Sequence, residues 1–494
     1  MASSAQPQNI QLQKVNIRFF LGWILAIIVP FLVYHFSQSA TLSQAASIFI
    51  GVVSMAVCMW VFDLAPAFVP ALLILMVSIL FDVAPKEVVL SGFTSDAFFI
   101  CLGIFIFAAQ MASSGLIYRV ALLLMRWLPE ANFSQGLIIF ASGSFLSTII
   151  PSPLGRAALL NPLVFDLIEK TPRNKPKNAP ATDIMTKAAN VTPLIISALQ
   201  GTTLLSTIFL TGNPLNLVML GFFNAQTQYR FQWLYWLQAT FIVGFILVMG
   251  YLGILLWQAR KSRLKPLTNA QIDALLGQLG PVKNSEWGAA AGIIVFGGGI
   301  LTQSYHHIEP VWLAFGIALV LYLYGALTAK DLRSNVDWPT LMFVAAIVSW
   351  GPIMSQLQLN TLISKEVTSL GLDKLITQNL SLGIGFLALV IILIRFAFPG
   401  GPTFVIVMTA LIPLASSTGI SPWVLGFIAL TISEGFFLPY QHGVYSLMVE
   451  ELNAHGLVFS YSKRDILISN VLLMVLRLAA IYLTLLYWKA IAIL

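Results

Sequence analysis

Long apolar runs with almost no charge inside them recur along this chain, and they limit what it can fold into more than any other feature. Residues 19–36 read FFLGWILAIIVPFLVYHF, and residues 466–488 read ILISNVLLMVLRLAAIYLTLLYW. About 20 apolar residues in a helix cross the roughly 30 Å hydrocarbon core of a bilayer. Only 9% of the residues are charged, whereas soluble domains carry about 25%. The chain is therefore predicted to be an all-α polytopic membrane protein.

Two apolar segments are interrupted in the middle by residues that break helices. The segment 135–170 contains IIPSPLGRAA, and the segment 380–419 contains RFAFPGGPTF. Two short apolar limbs around a Pro/Gly break predict a re-entrant hairpin, a backbone tolerated at membrane depth only where protein or a watery cavity surrounds it. The alternative is a pair of kinked full spans.

The basic residues favour one topology, with the N-terminus inside. Cytoplasmic loops carry an excess of Lys and Arg, and this rule predicts about eleven transmembrane helices plus two re-entrant hairpins in the cell inner (cytoplasmic) membrane, with the C-terminus outside. Because the net charge of +7 comes largely from short loops, it indicates topology rather than a nucleic-acid partner. The basic residues placed inside are Lys14, Arg18, Arg126, Lys170, Arg173, Lys175, Lys177, Lys187, Arg260, Lys261, Arg263, Lys265, Lys283, Lys330, Arg333, Lys463 and Arg464.

The two halves of the chain repeat one order of elements: a span, a short amphipathic helix, a hairpin and a broken span. The first broken span contains FLTGNPLNLVML, and the second contains FLPYQHGVYSLMV. Opposite hairpin orientations make the repeats inverted, which is typical of secondary transporters with a site at the membrane midplane. The predicted divisions are 1–44 (tail and first span), 45–258 (first inverted repeat), 259–286 (cytoplasmic linker with one short amphipathic helix) and 287–494 (second inverted repeat).

Several segments, in order and at matching spacing, resemble the divalent-anion:sodium symporters, which carry dicarboxylates, tricarboxylates and sulfate. They are WVFDLAPAFVPALLIL, GFTSDAFF with SSGLIYRVALLLM, and FLTGNPLNLVM. The resemblance runs from about residue 45 to the end. It implies an elevator-type carrier that forms a homodimer, with Ser-Asn-Thr at each hairpin tip binding substrate carboxylates and helping to build two sodium sites.

This chain departs from the family at both tips. The first tip reads Ser152, Pro153, Leu154, and the second has Thr403 at the equivalent start. The altered tips argue against sodium coupling, and no cofactor or resident metal is expected. Cys58 and Cys101 lie in apolar segments and indicate neither a disulfide nor a metal site.

Near both tips, buried positive charge is present where the family has its Ser-Asn-Thr tripeptides. Arg156 follows the first tip and Arg395 precedes the second, at a depth where an unpaired arginine is costly. Arginine forms bidentate pairs with carboxylate and sulfate, and His442 adds a donor whose charge depends on pH. Alternatively, Arg156 pairs with Asp166 or with hairpin carbonyls, Arg395 reaches the outer face, and His442 only packs. Glu434 is expected to be an internal partner for one of these cations.

Backbone breaks complete the predicted site, because the N-terminus of a half-helix presents free N–H groups to an anion. The predicted substrate-binding residues are Ser152, Pro153, Gly155, Arg156, Thr211, Gly212, Asn213, Asn216, Arg395, Gly401, Thr403, Gln441 and His442.

The sequence therefore predicts a secondary active transporter of small dianions rather than an enzyme. Fixed cations in place of sodium favour anion exchange, since the loaded carrier moves more readily than the empty one. The alternatives are a sodium- or proton-coupled anion symporter and a cation/proton antiporter of the same superfamily.

Overall fold

The computed structural model describes residues 17–38, 42–170, 191–262, 265–306, 308–369, 371–455 and 461–494, and every regular element within these ranges is helical. Seven helical segments of the described residues are at least 18 residues long and apolar enough to cross a membrane; six are single helices, and the seventh, Trp338–Gln356, joins two consecutive helices. Six of the basic residues used for the topology prediction lie outside the described ranges, namely Lys14, Arg173, Lys175, Lys177, Lys187 and Arg263.

The described residues up to 86 form one compact unit of three helices. These helices are α1 (Ile17–Gln38), α2 (Gln44–Val61) and α3 (Phe68–Leu80). The Ser43 hydroxyl caps α2 by accepting a hydrogen bond from Ala46 N at 3.2 Å. Ala26 and Met59 pack together in its small core, which joins the first helix to the second.

The remaining residues, from 87 onward, form the second compact unit. Its first half contains α4 (Lys86–Val89), α5 (Asp96–Ser114), α6 (Leu116–Trp127), α7 (Asn132–Leu146), α8 (Pro153–Lys170), α9 (Thr192–Thr203), α10 (Pro214–Gly221), α11 (Ala225–Arg230) and α12 (Trp233–Lys261), with 3₁₀ turns at Ser91–Thr94 and Leu210–Gly212.

The second half of this unit begins with α13 (Asn269–Leu279). It continues with α14 (Asn284–Leu301), α15 (Gln303–His306), α16 (Pro310–Leu323), α17 (Ala329–Asn335), α18 (Trp338–Val348), α19 (Trp350–Gln356), α20 (Leu359–Ser369), α21 (Leu372–Gln378), α22 (Leu380–Arg395), α23 (Gly400–Thr418), α24 (Pro422–Ser433), α25 (Gly443–Ala454) and α26 (Lys463–Ala490), with a 3₁₀ turn at Pro439–Gln441.

Helices stop at the four places where the sequence contains its Pro/Gly interruptions. We name the stretches between them the first tip (147–152, between α7 and α8), the first break (204–213, between α9 and α10), the second tip (396–399, between α22 and α23) and the second break (434–442, between α24 and α25). In the first half, α8 contacts α7 and α9; in the second, α24 contacts α22 and α23. The halves meet where α10 contacts α18 and α24, and where α25 contacts α8.

The linker contains the short helix predicted from the sequence, α13, which packs against α6. Arg126 Nε lies 3.0 Å from Asp273 Oδ1, and Glu130 Oε1 accepts from Asn269 N at 2.8 Å. At the far end, Arg119 donates to the carbonyl of Gly280 at 3.0 Å. The linker helix α13 is thus held at both of its ends by residues of α6 and of the segment that follows it.

Candidate functional site

A cavity of about 200 Å³ lies at the meeting point of the two halves. Its lining comes from the first tip, the first turn of α8, both breaks, the first turns of α10, α23 and α25, and the start of α18. The polar groups are Ser152, Asn213, Asp337, Thr340 and His442; the remaining lining residues are Pro153, Leu154, Pro214, Leu215, Phe343, Gly401, Gly443 and Val444.

The two breaks deliver Asn213 and His442 to the cavity by the same local geometry. Each follows a 3₁₀ turn and adopts an extended conformation, with φ −150° and ψ 135° at Asn213 and φ −144° and ψ 123° at His442. Each side chain then caps the following helix: Asn213 Oδ1 accepts from Leu215 N at 3.0 Å, and His442 Nδ1 accepts from Val444 N at 3.3 Å. The positive ends of two half-helices therefore border one cavity.

Arg156 is fully buried and holds the first tip against the first break. Its guanidinium donates to the carbonyl oxygens of Thr202 at 2.6 Å, Gly212 at 2.6 Å and Ile150 at 2.5 Å. Interrupted helices leave carbonyls without intrahelical partners, and no water is present in lipid to satisfy them. The structure therefore places Arg156 against carbonyls of the hairpin tip, of α9 and of the first break. Asp166, the predicted acidic alternative, instead accepts a hydrogen bond from Tyr118.

Arg395 holds the second tip against the second break in the same way. This fully buried side chain donates to the carbonyl oxygens of Phe398 at 2.7 Å, Gly435 at 2.8 Å and Gln441 at 3.0 Å. Gln441 returns a hydrogen bond from Nε2 to the Arg395 carbonyl at 2.9 Å. Arg395 does not reach an outer surface, because its guanidinium is enclosed by these carbonyls.

Each arginine binds the carbonyl of the residue immediately before a polar cavity residue. Gly212 precedes Asn213, and Gln441 precedes His442. Both guanidinium groups therefore contact the backbone one residue before the cavity lining. They carry charge there, and neither arginine belongs to the cavity lining.

Glu434 is the acid that interacts electrostatically with Arg156, Arg395 and a third buried arginine, Arg477. Arg477 is buried among protein atoms and donates to the Thr431 carbonyl at 2.9 Å. Three cations and one anion leave two unbalanced positive charges among these four side chains. Buried charges are screened less than exposed ones, so these four side chains place net positive charge behind the cavity lining, while the Asp337 carboxylate lies in the lining itself.

Glu434 also connects the two breaks beneath the cavity. Its Oε2 lies 3.7 Å from His442 Nε2, and its carboxylate interacts with the Asn213 side chain. Because Nδ1 of His442 accepts from Val444 N, the ring proton of the neutral form lies on Nε2, toward Glu434. Glu434 is thus an internal partner of these cations, as the sequence predicted.

Asp337 and Thr340 are the two polar lining residues that the sequence analysis missed. Asp337 precedes α18, and its Oδ2 accepts hydrogen bonds from Ser152 Oγ at 2.9 Å and from Thr340 Oγ1 at 2.8 Å. It lies 185 residues from Ser152 along the chain. The available signal was an acid directly before the apolar helix WPTLMFVAAIV, but that pattern also describes an ordinary helix cap.

The predicted site residues fall into two groups. Ser152, Pro153, Asn213, Gly401 and His442 line the cavity. The others lie outside its lining and organise the tips and breaks; they are Gly155, Arg156, Thr211, Gly212, Asn216, Arg395, Thr403 and Gln441.

Side-chain bonds to backbone carbonyls explain the second group. Asn216 Nδ2 donates to three carbonyls of the first break, including Phe209 O at 2.8 Å. Thr211 Oγ1 donates to the Thr148 carbonyl at 2.7 Å, and Thr403 Oγ1 donates to the Pro399 carbonyl at 2.9 Å. These bonds fix the interrupted backbone that borders the cavity.

A family model described as the sodium:sulfate symporter transmembrane region matches residues 18–494. The chain belongs to this family. The family resemblance predicted from the motifs is confirmed. The protein is therefore a multi-pass membrane carrier rather than an enzyme.

Three relatives illustrate the range of the family. The inner membrane protein YbhI of Escherichia coli (strain K12) is 22% identical over 429 residues, which cover 84% of this chain and 86% of YbhI. The citrate/succinate antiporter of the same strain is 26% identical over 271 residues, covering 52% of each chain. The chloroplastic dicarboxylate transporter 2 of Spinacia oleracea is 24% identical over 378 residues, covering 74% of this chain and 64% of the transporter.

Proposed function

We propose that this protein is a secondary active transporter of small dianions, of the di- or tricarboxylate or sulfate class, and that it works by anion exchange. The cavity shared by both breaks and the first tip is its substrate site. Ser152, Asn213, Thr340 and His442 are the polar side chains that contact the anion.

The observation that carries this proposal is the positive charge placed around a small polar cavity by two helix N-termini and three buried arginines. The first turns of α10 and α25 border it, and helix N-termini favour anions. Two unbalanced buried charges, from three arginines and one glutamate, lie behind its lining. A dianion in the cavity offsets these charges, whereas a cation adds to them, and this favours an anion carrier over a cation/proton antiporter. The names of the two transporters among the relatives agree with this substrate class.

Anion exchange follows because the positive charges that balance the substrate are fixed in the protein. Arg156 and Arg395 are bonded to the protein's own carbonyls and stay when substrate leaves. The empty carrier then keeps its buried positive charge, which is costly to move through a low-dielectric layer. The loaded carrier is closer to neutral and moves more readily, so transport in one direction requires an anion for the return.

The same proposal includes the division of the chain into repeats, its assembly and its location. The matching geometry of the two breaks supports inverted repeats at 45–258 and 287–494, joined by a cytoplasmic linker at 259–286. Residues 1–44 form the tail and first span. We further propose elevator-type alternating access, two re-entrant hairpins, a homodimer and a location in the inner membrane with the N-terminus in the cytoplasm.

Counterflow into proteoliposomes tests the transport reaction. Vesicles preloaded with unlabelled succinate, citrate or sulfate are diluted into the same labelled anion, with and without sodium. We expect uptake that requires internal anion and ignores sodium. Uptake into empty vesicles that is driven by a sodium or proton gradient would instead establish symport and overturn the exchange proposal.

A further inference from the structure

The cavity proposed to bind a dianion also contains a carboxylate. Asp337 lines it together with Ser152, Thr340 and His442. An acid in an anion site repels the substrate unless its charge is removed, and two carboxylates that share one site tend to hold one proton between them.

We propose that Asp337 binds one proton together with each dianion, so that the transported complex contains the anion and a protonated Asp337. This inference rests on the proposed function. It assigns to Asp337 a coupling role that neither the tips nor the buried arginines provide.

The hydrogen bonds of Ser152 show how the proton and the anion are linked. A serine hydroxyl has one hydrogen to donate, and Ser152 directs it to Asp337 Oδ2 at 2.9 Å while accepting from Gly155 N at 3.1 Å. As long as Asp337 is ionised, this hydrogen is engaged with the carboxylate. When a solvent proton binds to Asp337 Oδ2, this oxygen becomes a donor to Ser152 Oγ, and the Ser152 hydroxyl turns its hydrogen to the anion. Loss of substrate and loss of the proton then restore the original bond.

The charge balance gives an independent reason. Arg156, Arg395 and Arg477 with Glu434 leave two positive charges. With Asp337 protonated and His442 neutral, a bound dianion brings this group to zero. With Asp337 ionised, the loaded group carries one negative charge, which opposes movement through the membrane.

The other titratable groups around Asp337 are few among the described residues. His442 lines the same cavity, and its Nε2 lies 3.7 Å from Glu434 Oε2. Cys101 of α5 interacts electrostatically with Asp337. Lys330, Asp331 and Arg333 lie on α17, the short helix before α18. His442 is therefore the main competitor for the linked proton, and the experiment must distinguish the two.

Sulfate is the appropriate probe because it stays a dianion throughout the pH range of the assay. Its affinity for the purified full-length protein is measured by calorimetry between pH 5.5 and 8, with succinate as a second anion. One linked proton predicts that affinity falls by about tenfold per pH unit above the titration of the proton-binding group. The Asp337→Asn variant should bind sulfate with an affinity that changes less than about twofold over this range. The matched control Asp331→Asn should keep the wild-type dependence.

The number of protons taken up per anion is also measured in the wild-type protein. This result does not depend on whether a variant folds. Calorimetry at pH 7.5 in two buffers with different ionisation enthalpies gives the number of protons taken up per anion, and we expect a value near one. No uptake would overturn the proposal, as would a pH dependence that persists in Asp337→Asn but disappears in His442→Gln. If neither anion binds at any pH and neither supports counterflow, the proposed transport function itself fails.

Discussion

Arg156 and Arg395 show how a membrane protein stabilises the backbone where its helices are interrupted. Each interruption leaves carbonyls that water would satisfy in a soluble protein. Each arginine instead supplies several N–H groups in a fixed plane to three or more carbonyls. The same residue therefore stabilises the broken backbone and places a charge behind the cavity.

Replacing Arg156 by Gln should destabilise the fold as well as transport. Several buried carbonyls lose their partners, and each unsatisfied buried group costs about 1–3 kcal/mol, so we expect a loss of at least about 3 kcal/mol of unfolding free energy. Chemical denaturation in detergent measures it. The control Arg126→Gln breaks only the half-exposed pair with Asp273 and should cost less than about 1 kcal/mol. Equal stability of the two variants would show that the Arg156 bonds are not structural.

At residue scale the sequence revealed the unusual residues but not their partners. It placed Ser152, Asn213 and His442 in the site because each adjoins a helix break. It could not show that Arg156 and Arg395 point to carbonyls, since guanidinium N–H groups donate to carbonyl oxygens as well as to carboxylates. Asp337 was missed because only the fold brings the start of α18 to a tip 185 residues away.

At the scale of elements, the two breaks are the repeating unit of the site. Each consists of a 3₁₀ turn, an extended cap residue and a new helix, and each is held by one arginine. The backbone is tightly packed there. A Cβ at Gly212 would lie 2.6 Å from the Ser206 carbonyl oxygen and 2.8 Å from that of Ser147.

Gly212→Ala should therefore impair both stability and transport. The clash is with backbone atoms, which cannot rotate away, and overpacking costs about 1–3 kcal/mol. Gly253→Ala is the control, because a Cβ at Gly253 meets nothing within 4 Å. Thermal unfolding and counterflow of both variants should show loss only for Gly212→Ala. A variant at position 212 with wild-type stability and transport would mean that the first break is not tightly constrained.

The linker is fixed at its end by an ion pair between Arg119 and Glu286, with Nε and Oε1 3.0 Å apart. Burial raises the pKa of the Glu286 carboxyl, but hydrogen bonds from Arg119 and from the Lys283 backbone N–H, together with attraction to both cations, outweigh it. The pKa of Glu286 therefore lies below its ordinary value.

This depressed pKa predicts how stability depends on pH. The contribution of the pair is fully present above the ordinary glutamate pKa of about 4.3, and it is lost as pH falls through the lower folded-state pKa. The difference in unfolding free energy between wild type and Glu286→Gln should be about 1.5–3 kcal/mol at pH 6 and shrink toward pH 3.5. Asp273→Asn, which affects the exposed pair on the same linker, should show a difference below about 1 kcal/mol. A Glu286→Gln difference that grows on acidification would contradict the assignment.

Element positions were more predictable than element count. Pro and Gly remove or weaken helical hydrogen bonds, so IIPSPLGRAA, RFAFPGGPTF, FLTGNPLNLVML and FLPYQHGVYSLMV identified all four interruptions. The number of spans depends on how each helix lies in the bilayer, which apolar length alone does not determine. The prediction of about eleven spans and two hairpins therefore stays a prediction beside the seven long apolar helical segments of the described residues.

For the whole molecule, the essential feature is that one small cavity receives residues from both halves. Ser152 and Asn213 come from the first half, whereas Asp337, Thr340 and His442 come from the second. A molecule bound in this cavity contacts both halves of the chain at once. In the proposed transport cycle, this division lets substrate occupancy bias how the halves are arranged.

Protection of a cysteine in the cavity tests the location of the site most directly. Thr340→Cys is introduced together with Cys58→Ser, while Cys101, which is fully buried, is left in place. The control is Ser416→Cys, an exposed position on α23 outside the cavity lining. We predict that succinate, citrate or sulfate, whichever supports counterflow, slows alkylation at position 340 by at least about fivefold, that chloride does not, and that position 416 reacts at an unchanged rate. Equal alkylation at position 340 with and without an anion that the same variant transports would contradict the account.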